Sequence, residues 1–155
     1  MTKFLLSLHV LAALVAVGPV TVATSMFPAT LRRALGDPAD ADARTTLRIL
    51  HRICRVYAGV GVAVPLTGFF TAGSLGVLGD AWLIASILLT AAAAGVLALL
   101  VLPAQDDALT GTAGPTTPPT PSNPSRLAVH TGVFNLLWAT VTVLMIVRPG
   151  STTGA

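Results

Sequence analysis

Three imidazoles and one thiol carry most of the chemistry this 155-residue chain could perform: His9, His51, His130 and Cys54. His51 and Cys54 are three residues apart, so on a helix they share a face. An imidazole and a thiolate are ligands for haem iron or a soft metal. Metal sites use three or four ligands as a rule, so His51-x-x-Cys54 does not make one alone, and no metal site is expected. His51 and His130 form the pair able to hold a haem iron, with Cys54 beside His51. His9 reads first as an interfacial hydrogen-bonding residue, with haem ligation or proton handling as the sharper alternative. There is no paired intramembrane carboxylate, no glycine-rich phosphate loop with a lysine and no Cys-x-x-Cys; all six acidic residues are Asp. No catalytic residues are therefore expected.

A second group is basic. Arg44, Arg48 and Arg52 repeat every four residues and Arg55 follows, while Leu47, Leu50 and Cys54 fall on a neighbouring stripe. That spacing predicts a basic juxtamembrane helix over 43–55, with Asp42 as its N-cap. Its arginines suit anionic lipid headgroups, where long basic side chains lay their stems on apolar surface and their heads in the interface. A carboxylate or propionate site built from the same residues is the alternative.

The elements that must position these groups follow from charge and hydropathy. The chain is 54% hydrophobic and only 10% charged, with a mean hydropathy of +0.81. Soluble domains carry about 25% charged residues, so an ordinary water-soluble fold is excluded. So is an intrinsically disordered chain, which needs low hydropathy. The net charge of +3 comes without a basic patch interleaved with aromatics, and nucleic acid is not an expected partner. No Asp, Glu, Lys or Arg interrupts 4–31, 56–79, 81–105 or 127–147. A hydrocarbon core of about 30 Å takes about 20 helical residues, and each run is long enough. The run 91–100 shows none of the apolar–polar alternation of a barrel strand. The expected fold is all-α, a four-transmembrane-helix bundle in one domain, with helices at about 4–27, 56–78, 81–102 and 127–147. The first run is too long for a signal peptide and is flanked by Arg32-Arg33, so it reads as a retained span.

The stretch 103–125, rich in Thr, Pro and Gly, reads as a disordered tether. Seven of the nine bases lie in loops 1–2 and 3–4, against Lys3 and Arg148 on the other side. The positive-inside rule then puts both termini outside, in a bacterial plasma membrane.

Within lipid, helices associate through small residues and polar contacts. Ser86, Thr90, Ala94 and Ala98 recur every four residues on the third run, and Asn135 needs a hydroxyl partner on the fourth. Such small-residue faces on the second and third runs also permit a homo-oligomer. Pro65 is expected to kink the second helix. His9 lies toward one membrane face and His51 and His130 toward the other. About 20 helical residues cover about 30 Å, so His9 cannot share one iron with them.

Several segments resemble those of a bacterial family of four-helix integral membrane proteins, labelled domain of unknown function twenty-two sixty-nine. They are the opening 3–13 (KFLLSLHVLAA), the arginine-rich Arg48-Ile49-Leu50-His51-Arg52, Asp80-Ala81-Trp82-Leu83 and Val147-Arg148-Pro149. The layout also resembles, more distantly, the copper-resistance D membrane proteins and the J-type protoporphyrinogen oxidases. The latter resemblance implies a haem ligand in the first helix, to which His9 corresponds. The third run carries neither the histidine nor the lysine of that group, so the uncharacterised family is nearer. The expected function is a small, non-enzymatic membrane protein with a structural or accessory role. A haem-binding oxidoreductase and a small transporter or ion-handling subunit stand as alternatives.

Overall fold

The computed structural model describes residues 2–111 and 123–150. Among them there is no strand, and the helices are α1 Thr2–Gly36, α2 Ala41–Val60, α3 Ala63–Leu75, α4 Ala81–Val96, α5 Leu102–Gly111 and α6 Pro124–Val147. A π turn, Leu97–Val101, joins α4 to α5. These elements make four spans long and apolar enough to cross a membrane: Thr2–Gly36, Ala41–Leu75, Ala81–Gly111 and Pro124–Val147. Lipid offers the backbone no hydrogen bonds, so uninterrupted helix is the form such runs must take.

The spans run antiparallel in a ring. The first packs on the second and on the fourth, the fourth on the third, and α5 closes back onto α2. One end of the bundle carries the N-terminal turns of α1, the α3–α4 turn and the C-terminus of α6. The other carries the arginine-rich α1–α2 connection, α5 and the start of α6.

Three of the spans are longer than a bilayer requires. At about 1.5 Å per residue a helix of 35 residues is about 50 Å long, well beyond a hydrocarbon core of about 30 Å. The excess lies at the arginine end, and the main buried cluster is concentrated there. Phe27, Leu31 and Ala34 of α1 meet Ala43, Leu47, Leu50 and Cys54 of α2, with Val101 and Ala108 from the third span. In lipid an apolar face gains nothing from burial against another helix, whereas outside it must be covered from water. The hydrophobic core therefore forms where the helices emerge. α2 is amphipathic for this reason: Leu47, Leu50 and Cys54 turn inward while Arg48, Arg52 and Arg55 are exposed.

Local sequence accounts for the breaks. α2 and α3 part at Gly61–Val62, one turn before Pro65; the proline has no N–H for the Gly61 carbonyl, which instead accepts from Val64 N at 3.1 Å. α3 ends in a Schellman motif. Gly76 is left-handed (φ 71°), with Val77 N to Ala72 O and Gly76 N to Gly73 O both 3.2 Å.

Three expectations are corrected. The cap of α2 is Asp40, whose carboxylate accepts from Ala43 N at 2.8 Å; Asp42 sits within the first turn. A turn closed by Asp40 N donating to the Asp37 carbonyl at 3.1 Å brings Asp40 to the cap position. Asp40 also pairs with Arg33 at 2.6 Å, and the Ala43 N–H, then the Arg33 guanidinium, hold its carboxyl below the usual range.

The stretch expected to be a tether from residue 103 is helical as far as Gly111, where the third span ends. The π turn accommodates Pro103: Leu102 N donates to Leu97 O, five residues back. At its other end α6 starts at Pro124, capped by Asn123 Oδ1 accepting from Ser125 N at 3.0 Å. The rest of that stretch, 112–122, lies outside the described residues.

Finally, of the small-residue stripe Ser86 is fully buried and Thr90 half-buried, while Ala94 and Ala98 face outward. Steps of four turn about 40° too far each time on a helix of about 3.6 residues per turn. The buried row runs instead through Ser86, Ala93, Leu97 and Val101.

Candidate functional site

Two centres of buried polar groups lie at opposite ends of the bundle. At the terminal end, His9 Nδ1 lies 3.1 Å from the Val64 carbonyl oxygen and 3.2 Å from Thr67 Oγ1. A carbonyl only accepts, so Nδ1 carries the proton. The ring lies against Gly68: a Cβ there would stand 2.9 Å from His9 Cε1. The glycine is what lets the imidazole in.

At the arginine end, α2 and α5 bring together His51, Cys54, Gln105 and Asp106. His51 Nδ1 donates to Gln105 Oε1 at 3.1 Å, and Gln105 Nε2 donates to Cys54 Sγ at 3.6 Å. Gln105 is fully buried, as is Cys54. His51 Nε2 stands 3.0 Å from Asp106 Oδ1, close enough for an ion pair but out of line for a hydrogen bond. A ring protonated on Nδ1 alone turns a lone pair toward that carboxylate; protonated on both nitrogens it pairs with it. Neither Gln105 nor Asp106 was expected from sequence, since both fell in the supposed tether. The available signal was the row Leu97, Val101, Gln105, Ala108, which keeps helical spacing across Pro103.

His130 is held elsewhere. It lines a cleft of about 310 Å³ between α1, the π turn with α5, and α6, together with Leu31, Leu99, Asp107 and Arg126. Its Nδ1 is buried without a partner. His51 and His130 thus face different surroundings, and the described residues hold no group of three or more His, Cys, Asp or Glu placed to bind a metal. His9 and His51 are well apart, since about 20 Å of helix rise separates Val64, the partner of His9, from His51.

The residues do not fit a haem held between His51 and His130. Both His51 nitrogens face acceptors of the protein, and His130 opens onto a separate cleft. His9, at the opposite end of the bundle, lies against Gly68 and donates from Nδ1 to the Val64 carbonyl, which leaves Nε2 as its free nitrogen.

The remaining polar side chains tie helices. Thr131 Oγ1 donates to Thr24 O at 3.4 Å, and Asn135 Nδ2 donates to Ser25 Oγ at 3.1 Å. Between the third and fourth spans, the Arg148 guanidinium sits 5.7 Å from the centroid of the Trp82 ring. Trp82 Nε1 in turn donates to Asp80 Oδ2 at 2.9 Å. Two segments singled out in the sequence, Asp80–Leu83 and Val147–Pro149, meet in this cluster. Of the juxtamembrane arginines, Arg48, Arg52 and Arg55 are exposed and Arg44 is half-buried, donating to the Pro38 carbonyl.

Fold and polar arrangement together define a polytopic helical membrane protein whose buried polar groups join neighbouring spans. Residues 3–149 match the model of the family described as "Predicted integral membrane protein (DUF2269)", and the chain belongs to that family. Comparison with the curated proteins and with the solved structures found no match.

Proposed function

We propose that the protein is a non-enzymatic accessory bundle of the bacterial plasma membrane. The observation that carries this reading is the closed set of polar ties. His9 joins span one to two, His51 and Gln105 join two to three, Trp82 and Arg148 join three to four, and Thr131 and Asn135 join four to one. Lipid supplies no hydrophobic drive for helix association, and interhelical polar contacts are what a permanent bundle needs in its place. The atoms engaged in these ties are not free to line a pore or hold a cofactor, and of the tying histidines only His9 keeps a nitrogen, Nε2, outside them.

Orientation belongs to the same reading. Seven arginines gather at one end of the antiparallel ring, so that end faces the cytoplasm and both termini face outward. The exposed Arg48, Arg52 and Arg55 then meet the anionic headgroups of the inner leaflet.

The haem-dependent alternative is separated by one measurement. Protein purified from cells supplied with a haem precursor is expected to show no Soret band, while His9→Ala and His51→Ala lower its resistance to unfolding. A stoichiometric Soret band that His9→Ala abolishes overturns the reading. The ion-handling alternative predicts a liposome flux that falls in Asn135→Leu; no flux is expected from either protein.

A further inference from the structure

The cleft beside His130 has two kinds of wall. Leu99 and Leu100 line one part of it, and Asp107, Arg126 and His130 line another. Span four sets its depth. At 24 residues it is the shortest span, about 36 Å against a hydrocarbon core of about 30 Å. Arg126 in its first turn therefore lies at headgroup level, and His130 one turn deeper. Leu99 and Leu100, which are 75% and 43% exposed, face the acyl chains. The cleft thus opens sideways into the leaflet, apolar below and polar above.

The polar part is not a generic basic surface. It holds one carboxylate and one guanidinium, and among the described residues no ion pair within 4 Å joins them. The half-buried His130 ring stands beside them. Asp107 and Arg126 are both exposed and free to meet a ligand carrying both signs of charge.

We infer that this cleft binds one phospholipid carrying a primary ammonium, of the phosphatidylethanolamine class. The phosphate lies against the Arg126 guanidinium, beside the His130 ring. The ammonium reaches Asp107, and an acyl chain lies along Leu99 and Leu100. A charge-assisted hydrogen bond requires N–H groups on the ligand, so Asp107 discriminates a primary ammonium from a trimethylated one. A volume of about 310 Å³ matches a headgroup with the first carbons of one chain.

The test is lipid retention by the full chain, measured by native mass spectrometry in micelles doped with dioleoyl phosphatidylethanolamine, phosphatidylcholine or phosphatidylglycerol. One ethanolamine lipid per chain is expected, held about tenfold more tightly than the choline lipid, the factor given by a single charge-assisted contact. Asp107→Asn should bring the ethanolamine lipid down to the choline level and leave the latter unchanged. Arg126→Gln should weaken both. Both side chains are exposed, and unchanged far-ultraviolet circular dichroism verifies that the variants fold. Equal retention of ethanolamine and choline lipids by the parent protein overturns the inference, as does indifference to Asp107→Asn. Preference for phosphatidylglycerol reduces the cleft to a basic patch. Competition by inorganic phosphate without lipid selectivity points to a soluble phosphate and likewise overturns it.

Discussion

Gln105→Leu probes the region where composition and structure differ most. The side chain is fully buried and accepts from His51 Nδ1 at 3.1 Å. Leucine keeps roughly the same bulk but leaves that N–H without an acceptor, and a buried unpaired donor costs about 1–3 kcal/mol. The contact to Cys54 Sγ at 3.6 Å is a weak one and adds little. Polar contacts between membrane helices average about 0.6 kcal/mol and reach about 1.7 kcal/mol. This site lies where the helices leave the bilayer, so a loss between the two scales, about 1–2 kcal/mol, is expected. His51→Leu orphans Gln105 by a similar amount. The double variant removes both partners, leaves neither stranded, and should lose less than the two single losses together by at least about 0.5 kcal/mol. The assay is titration of the detergent-solubilised protein with a denaturing detergent, followed by fluorescence of Trp82 and Trp138. If residues from 103 onward were an unstructured tether, Gln105→Leu would be silent. A change below about 0.3 kcal/mol, or strict additivity in the double variant, refutes the buried network.

Further outcomes are expected from other positions. Gly68→Ala drives a methyl to 2.9 Å from His9 Cε1, where the ring is held by two contacts, and should cost about 1–3 kcal/mol by overpacking. Gly95→Ala meets nothing within 4 Å and should be neutral or stabilising by up to about 1 kcal/mol from helix propensity; the same titration reads both. The depressed Asp40 carboxyl makes a contribution that is complete above the ordinary aspartate range, near about pH 3.9, and is lost as pH falls through the lower folded value. Asp40→Asn, which keeps an acceptor for Ala43 N but does not titrate there, should therefore flatten the acid limb of a stability profile; an unchanged limb contradicts the assignment. Buried Cys54 should resist maleimide from either side until the protein is unfolded. In a Cys54→Ala background, Leu78→Cys should react with an impermeant reagent outside intact cells and Ala39→Cys should not. The reverse pattern inverts the orientation.

The four spans were legible because uncharged runs of bilayer length have one solution in hydrocarbon. What the residues could not display singly was the outcome of competition between local and tertiary terms. Pro103 and the Thr/Pro-rich stretch after it suggest a helix end, yet burial of Val101, Gln105 and Ala108 against α1 and α2 carries the helix through. Asp42 and Asp40 are equally good capping types, and the turn from Asp37 with the Arg33 ion pair decides between them. Ser86, Thr90, Ala94 and Ala98 share a spacing in sequence but spiral around the helix, so burial fades from Ser86 through the half-buried Thr90 to the exposed Ala94 and Ala98. The histidines were identified as candidates from their type alone. Their partners were not, because Gln105, Asp106 and Val64 acquire meaning only once distant segments are adjacent.

The π turn at Leu97–Val101 has a consequence for how this chain tolerates change. A π turn is equivalent to one extra residue wedged into an α-helix, and each residue advances the azimuth by about 100°. The turn takes up that residue locally, so everything beyond it, from Pro103 to Gly111, keeps the phase of a regular helix one residue shorter. Excising a single leucine from the turn would leave composition and hydropathy almost untouched and would straighten the rod. It would leave Gln105 facing His51 and Ala108 in the core, and the cost would fall on Pro103, whose ring would then meet the carbonyl of an unbroken α-helix.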